Sequence, residues 1–243
     1  MSFEFQLIKP DFYKATLGLI VLKSDETIEH EFRSILNNDI ALFHSRINCH
    51  QQVTTETLLE METDIPHAAD LLPSSLNYNV IGYACTSAST IIGSEKVRSL
   101  VQSRHSDIPV TDPIDSAIKA LKKMNCKNIA FVSPYSANVT EVLKSFMEKQ
   151  GFKITNIICF DEDNDSVVAK ISEEDTLRAI LEIDNPENDA VFASCTNLKT
   201  FNIISEAEKK IKKPVISSNL ALAWNMLSIA SIKNIKAPGS IFN

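Results

Sequence analysis

Two Cys-Thr pairs, Cys85-Thr86 and Cys195-Thr196, stand 110 residues apart, each at the end of a short apolar run. The first comes after Asn79-Val80-Ile81-Gly82-Tyr83-Ala84 and the second after Asp189-Ala190-Val191-Phe192-Ala193-Ser194. A thiol where a strand gives way to a helix lies beside unpaired backbone N–H groups and the positive end of the helix dipole. That setting is expected to lower a thiol pKa from about 8.5 toward neutrality, leaving a sulfur that can move a proton or attack an electrophile. The neighbouring Thr86, Ser87, Thr196 and Asn197 offer hydroxyl and amide groups to a substrate carboxylate, as does the helix N-terminus itself. A single buried cysteine is ordinarily a small hydrophobe, and Cys49, Cys126 and Cys159 are read that way. For Cys85 and Cys195 the same dipeptide at equivalent places favours a working role over packing or a structural disulfide.

Other constellations are weaker. Asp161-Glu162-Asp163-Asn164-Asp165 spaces acids like a calcium loop, but Ser166 stands where that loop needs Gly and Ser172 where it needs Glu. Cys49-His50 with His44 is too few ligands for a metal without a second cluster. There is no G-x-G-x-x-G, P-loop or H-E-x-x-H, and Gly occurs only five times, so neither a coenzyme nor a metal is expected. Asp107 and Asp112 read as turn and cap residues.

The elements that must position the two sulfurs alternate between two kinds. Runs at 16–22, 39–44, 78–84, 128–132, 152–160, 190–193 and 214–217 read as strands. Between them lie helical faces. Asp112-Pro113 supplies a cap and an N1 proline before Ile114, Ala117, Ile118, Leu121 and Met124. Asn138 with Glu141 resembles a capping box, and Val139, Val142, Leu143, Phe146 and Met147 form the next stripe. Ser172 with Asp175 opens another helix, with Leu177, Ile180 and Leu181 facing inward. Such alternation predicts parallel sheets covered by helices on both faces.

The chain also repeats itself. The offset that superposes the Cys-Thr pairs also lays Val21-Leu22-Lys23-Ser24-Asp25 on Phe131-Val132-Ser133-Pro134-Tyr135, and Pro109-Val110-Thr111 matches Pro214-Val215-Ile216 at an offset of 105. Three landmarks in order imply two copies of one α/β unit, each a small parallel sheet flanked by helices. The expected lobes are 1–112 plus 220–243 and 113–219. Ligands of such sheets bind beyond the carboxyl ends of the strands, so two pseudosymmetric lobes would share one cleft, with Cys85 and Cys195 facing a ligand from opposite sides.

Composition narrows the setting. The 243 residues are 44% hydrophobic and 23% charged, an ordinary globular profile. The longest apolar stretches fall far short of the roughly 20 residues needed to span a bilayer, so no membrane association is expected. A net charge of −7 repels polyphosphate, and Lys209-Lys210-Ile211-Lys212-Lys213 lacks interleaved aromatics, so it reads as a solvated helix end and nucleic acid is not an expected partner. Five cysteines without a CxxC pair, behind an N-terminus with no basic and apolar leader pattern, predict a reducing cytoplasm. The tail 236–243, with Pro238-Gly239, reads as a loop that ends the fold and packs Phe242 onto a neighbour.

Gly18-Leu19-Ile20-Val21-Leu22, Tyr83-Ala84-Cys85-Thr86-Ser87, Ser133-Pro134-Tyr135 and Ser194-Cys195-Thr196-Asn197 look like the signature stretches of the Asp/Glu racemase superfamily. Within it they are most similar to the maleate cis-trans isomerase and arylmalonate decarboxylase branch, over nearly the whole chain. The resemblance implies a pseudosymmetric α/β fold, cofactor-independent chemistry on a small carboxylate or dicarboxylate, and a homo-oligomer. It makes Cys85 the nucleophile that adds to a double bond to give a thioether-linked succinyl intermediate, and Cys195 its proton-handling partner. Tyr135, and Asn164 within Asp163-Asn164-Asp165-Ser166-Val167-Val168-Ala169, match carboxylate-binding residues. Decarboxylase members keep one cysteine; this chain keeps both.

One turn departs from the pattern. Isomerases carry an Asn after the first strand, whereas here the turn reads Lys23-Ser24-Asp25-Glu26-Thr27-Ile28-Glu29, more like the ectoine-utilisation protein of the same superfamily. An ionised Asp25 facing a dicarboxylate would be repulsive by roughly 1 kcal/mol or more, and would suit a substrate carrying an ammonium or amide N–H. Asp25 could equally cap the next helix. The expected activity is cis-trans isomerisation of a maleate-like acid. Two-base racemisation of an amino acid or derivative, and carboxylate binding without catalysis, stand as alternatives.

Overall fold

The computed structural model describes residues 2–8 and 12–243. In chain order the first half runs β1 (Ala15–Leu22), α1 (Ile28–Ile35), β2 (Ile40–Ile47), α2 (Thr55–Glu60), α3 (Ile65–Asp70), β3 (Val80–Ala84), α4 (Thr86–Ile92), α5 (Ser94–Gln102) and β4 (Val110–Thr111). The second runs α6 (Pro113–Lys123), β5 (Asn128–Ser133), α7 (Ala137–Lys149), β6 (Lys153–Cys159), α8 (Asp165–Val168), α9 (Glu173–Ile183), β7 (Ala190–Ala193), α10 (Phe201–Ile211), β8 (Val215–Ser217) and α11 (Ser218–Ile229).

The strands form two parallel sheets with orders β2-β1-β3-β4 and β6-β5-β7-β8. Adding four to each label of the first order gives the second, so the internal repeat is a repeat of topology. Burial follows position in the sheet. The inner strands β3 and β7 are buried at every residue, as strands covered on both faces must be, whereas edge strand β6 alternates into solvent.

Helix α11 is apolar around its whole circumference, with Leu220, Ala221, Leu222, Ala223, Met226 and Leu227 buried, and it lies against α6, α1, β3, β4 and β8. Its approach to β3 requires Gly82: a Cβ there would stand 2.7 Å from Met226 Sδ. Asp112 caps α6 through the Asp115 N–H with Pro113 at N1, and Ser172 caps α9 through the Asp175 N–H, both as the sequence predicts. Lys212 ends α10 in a left-handed conformation, which makes the basic run a helix terminus.

Four expectations need correction. β4 is a strand of two residues paired with β3, too short to show a period in the sequence. α7 is capped at Ser136, so Asn138 lies inside the first turn and Glu141 meets Lys144 and Ser145 instead. The buried face of α9 is Thr176, Ala179, Ile180 and Ile183, with Leu177 and Leu181 only half-covered. The tail forms a short 3-10 turn over Ser240–Phe242, whose Phe242 packs on this chain's own core. Its anchor is Glu208, which accepts from the Val215 and Ser240 N–H groups and the Ser240 hydroxyl.

Candidate active site

Cys85 succeeds β3 directly and is the N-cap of α4, where its sulfur accepts from the Ala88 N–H at 3.4 Å. Cys195 lies two residues past β7 and its sulfur accepts from the Asn197 N–H at 3.3 Å. The two segments abut: the Thr196 hydroxyl donates to the Ala84 carbonyl at 3.4 Å. Both thiols are free and sealed from solvent, at 5% and 3% exposure. The carboxyls of Asp25 and Asp165 act on both of them, which places sulfurs from equivalent strand ends of the two sheets around one group of side chains.

The expected lowering of the thiol pKa values does not hold. Burial pushes Cys85 well up, and the charges of Asp165, Cys49 and Asp25 add to it against the Ala88 N–H. Burial likewise pushes Cys195 up, with Asp165 adding to it against Tyr135 and the Asn197 N–H. Desolvation of a thiolate outweighs one or two weak N–H···S contacts. For Cys195 there is a second reason: α10 starts only at Phe201, so no helix N-terminus stands behind that sulfur.

Tyr135 joins the second thiol to the carboxyls. Its hydroxyl is hydrogen-bonded to Cys195 Sγ at 3.1 Å and lies 3.5 Å from Asp165 Oδ1. The Ser24 hydroxyl donates to Asp165 Oδ2 and meets Cys49 Sγ at 3.2 Å, so Cys49 borders the site rather than merely filling the core.

Asp25 takes the capping role with one of its two oxygens. Its Oδ1 accepts the N–H groups of Thr27 and Ile28, capping α1 from the turn before it. Among the described residues no hydrogen bond reaches its Oδ2; the Thr196 hydroxyl beside it donates to the Ala84 carbonyl at 3.4 Å and still pulls on the Asp25 carboxyl. Burial raises the Asp25 carboxyl to about 7, against the pull of the two N–H groups. Burial raises Asp165 as well.

The remaining expected residues divide. Ser87 is buried with an unpartnered hydroxyl beside Cys85. The Thr86 hydroxyl is engaged by Ser218 at 2.7 Å. Asn197 is wholly engaged between the halves: Oδ1 accepts the Glu26 N–H, and Nδ2 donates to the Ser24 and Asp165 carbonyls. It holds the Asp25 turn and has no free group for a ligand.

Asn164 is displaced from its expected role. It caps α8 through the Ser166 N–H and stays half-exposed, and Asp165 points inward in its place. The helical spacing Asp165, Val168, Ala169, all buried, is the signal that identifies the inward residue.

Two contacts between the halves close the arrangement. Gln52 and Asn164 form an antiparallel bridge, with the Val53 N–H on the Asp163 carbonyl and the Asp165 N–H on the Gln51 carbonyl. Glu31 reaches from α1 to the start of α10. Its Oε1 accepts the N–H groups of Thr200 and Phe201 at 2.6 and 2.9 Å and the Thr200 hydroxyl at 3.3 Å, and its Oε2 accepts from Asn219 at 2.6 Å. Burial raises this carboxyl to about 7. His50 pairs with Glu60. No helix among the described residues is long and apolar enough to cross a membrane.

Residues 17–242 match the arylmalonate decarboxylase family. The chain is 26% identical over 238 residues to a maleate isomerase of Pseudomonas putida, covering 92% of this chain and 94% of that one. It is 26% identical over 240 residues to a maleate isomerase of Nocardia farcinica, covering 92% and 93%. Among solved structures it resembles a Cys-to-Ser mutant of the Nocardia farcinica maleate cis-trans isomerase with a covalently bound succinylcysteine intermediate. The TM-score is 0.87 at 22% identity, covering 94% of this chain and 98% of that one.

Proposed function

We propose, since the chain belongs to the arylmalonate decarboxylase family, that it is a cofactor-independent isomerase of a small unsaturated carboxylic acid, working by cysteine chemistry as its maleate isomerase relatives do. The observation that carries this reading is the pair of sulfurs from equivalent strand ends of two repeated sheets, gathered around the same buried carboxyls.

In this reading the Cys85 thiolate adds to one carbon of the C=C bond, and the neighbouring carbon takes the proton of Cys195. A carbon–sulfur and a carbon–hydrogen bond form, the π bond is lost, and the remaining single bond rotates. Cys195 then removes the proton and Cys85 leaves with its electron pair, giving the trans acid with both sulfurs restored. Tyr135 holds the Cys195 thiol in place. The Ser87 hydroxyl and the first-turn N–H groups of α4 are the donors available to a substrate carboxylate. We divide the lobes at 1–112 plus 220–243 and 113–219, with α11 packed on β3, β4 and α1 of the first and also on α6 and β8 of the second, and place the enzyme in the reducing cytoplasm that two working thiols require. Assembly as a homo-oligomer belongs to the same proposal and is checked by light scattering.

The test is proton NMR with maleate and its analogues, watching for the trans olefin, together with intact-mass analysis of Cys195→Ser. The variant should accumulate one substrate mass on Cys85. Silence across the panel, with no adduct, would remove the reading. Loss of an α-proton into deuterated water from an amino acid would favour racemisation.

A further inference from the structure

The site is rich in acceptors and poor in charge to balance them. Asp25 and Asp165 are both 3% exposed, the charge of each acts on both thiols, and the charge of Asp165 acts on Asp25. Glu26 adds its charge beside Asp165. The nearest arginine, Arg46, lies behind the turn, donating to the carbonyls of Leu22, Lys23 and Asp25, and its charge is paired with Glu29. Lys199 donates to the Ala169 carbonyl. Above about pH 7, where Asp25 is ionised, a dicarboxylate would therefore bring two negative charges to a site that already holds two acids and needs a thiolate. Meanwhile Asp25 Oδ2 is one of the buried polar atoms with no hydrogen bond formed to it, and with the Thr196 hydroxyl beside it it is an acceptor that a ligand N–H would complete.

We infer that the substrate of this site is an unsaturated acid with a carboxylate at one end and an N–H-bearing nitrogen, amide or ammonium, at the other, the nitrogen being received by Asp25 Oδ2 with Asp165 beside it. This rests on the isomerase reading above and narrows it: Asp25 and Asp165 are specificity-determining residues that select against a second carboxylate. For the carboxylate the available donor is the Ser87 hydroxyl, buried and unpartnered two residues after Cys85.

The experiment compares maleamate with maleate in the wild type, Asp25→Asn and Asp165→Asn. The wild type should turn over maleamate with kcat/KM ten- to hundredfold above maleate, and each Asn variant should reverse or erase that preference by gaining on maleate and losing on maleamate. Calorimetric binding of the saturated analogues succinamate and succinate supplies a readout that needs no turnover. Tighter binding of succinamate by the wild type, inverted in Asp25→Asn, supports the inference even if neither olefin reacts, in which case it is the isomerase reading that fails. A wild type that prefers the diacid of either pair, or Asn variants with unchanged ratios, overturns it. Asp165→Asn serves as the second variant should Asp25→Asn lose the α1 cap and fail to fold.

Discussion

Replacing Glu31 with Gln should change the sign of its effect on stability with pH. The folded-state carboxyl lies at about 7 against an ordinary 4.5, because burial outweighs the four hydrogen bonds it accepts. An acid raised in this way binds its proton more tightly folded than unfolded. Its contribution is therefore complete below the unfolded value and is lost as pH rises through the folded one. At about 1.4 kcal/mol per pH unit, the loss is about 3 kcal/mol. Gln has nearly the shape of the protonated acid and does not titrate, but its amide nitrogen would face the Asn219 Nδ2 that Glu31 Oε2 now accepts. One buried N–H without an acceptor costs about 1–2 kcal/mol. Wild type should therefore lead by about 1–2 kcal/mol near about pH 4 and trail by a similar amount near about pH 8.5. Asp25, Asp112 and Asp165 are raised in both proteins and cancel in the difference. Urea unfolding followed by Trp224 fluorescence reads the crossing. A wild-type-minus-variant difference that stays constant with pH would refute the reasoning.

With maleamate as substrate, initial rates should climb from about pH 6 to about pH 9, since Asp25 and a thiol held above its usual range must both lose protons; a rate falling with alkalinity would contradict this. Asn197→Ala leaves the Glu26 N–H and the Ser24 and Asp165 carbonyls without their partner. It should cost about 2–4 kcal/mol in unfolding free energy and lower kcat with it, whereas an unchanged kcat would separate Asn197 from the positioning of Asp25. Gly239→Ala meets a φ of 84° and would set its Cβ 2.9 Å from Leu220 Cδ2. It should lower Tm by roughly 4–8 °C without touching turnover, and a melting curve superposable on wild type would disprove the strain.

Much of this molecule is written in local patterns. The buried inner strands are apolar along their whole length, so the runs ending at Ala84 and Ala193 mark β3 and β7 without ambiguity. The Cys-Thr pairs come after them at a fixed offset, and the Asp112-Pro113 and Ser172-Asp175 caps obey local hydrogen-bonding rules. The features that escape are decided by tertiary contact. β4 exists because β3 offers it an edge. The helix α7 begins after Ser136, whose side chain makes no capping hydrogen bond, so neither it nor the Asn138 spacing marks the start. Which of Asn164 and Asp165 turns inward depends on one helical step and on Ser24 and Tyr135 arriving from elsewhere. The thiol pKa values run against expectation because depth of burial is a property of the whole fold, whereas the helix-terminus argument uses only the neighbours in sequence.

The repeat is faithful in its strands and unfaithful just beyond each sulfur. Behind Cys85 a helix begins at the next residue; behind Cys195 the chain wanders through five residues before α10. A strict twofold axis would have made the cleft a palindrome, indifferent to which way round a guest lay down. Here the two sulfurs have unlike surroundings, and if Cys85 is the nucleophile of the proposed reaction, isotopic labels placed at the two ends of an unsymmetrical substrate should have unequal fates.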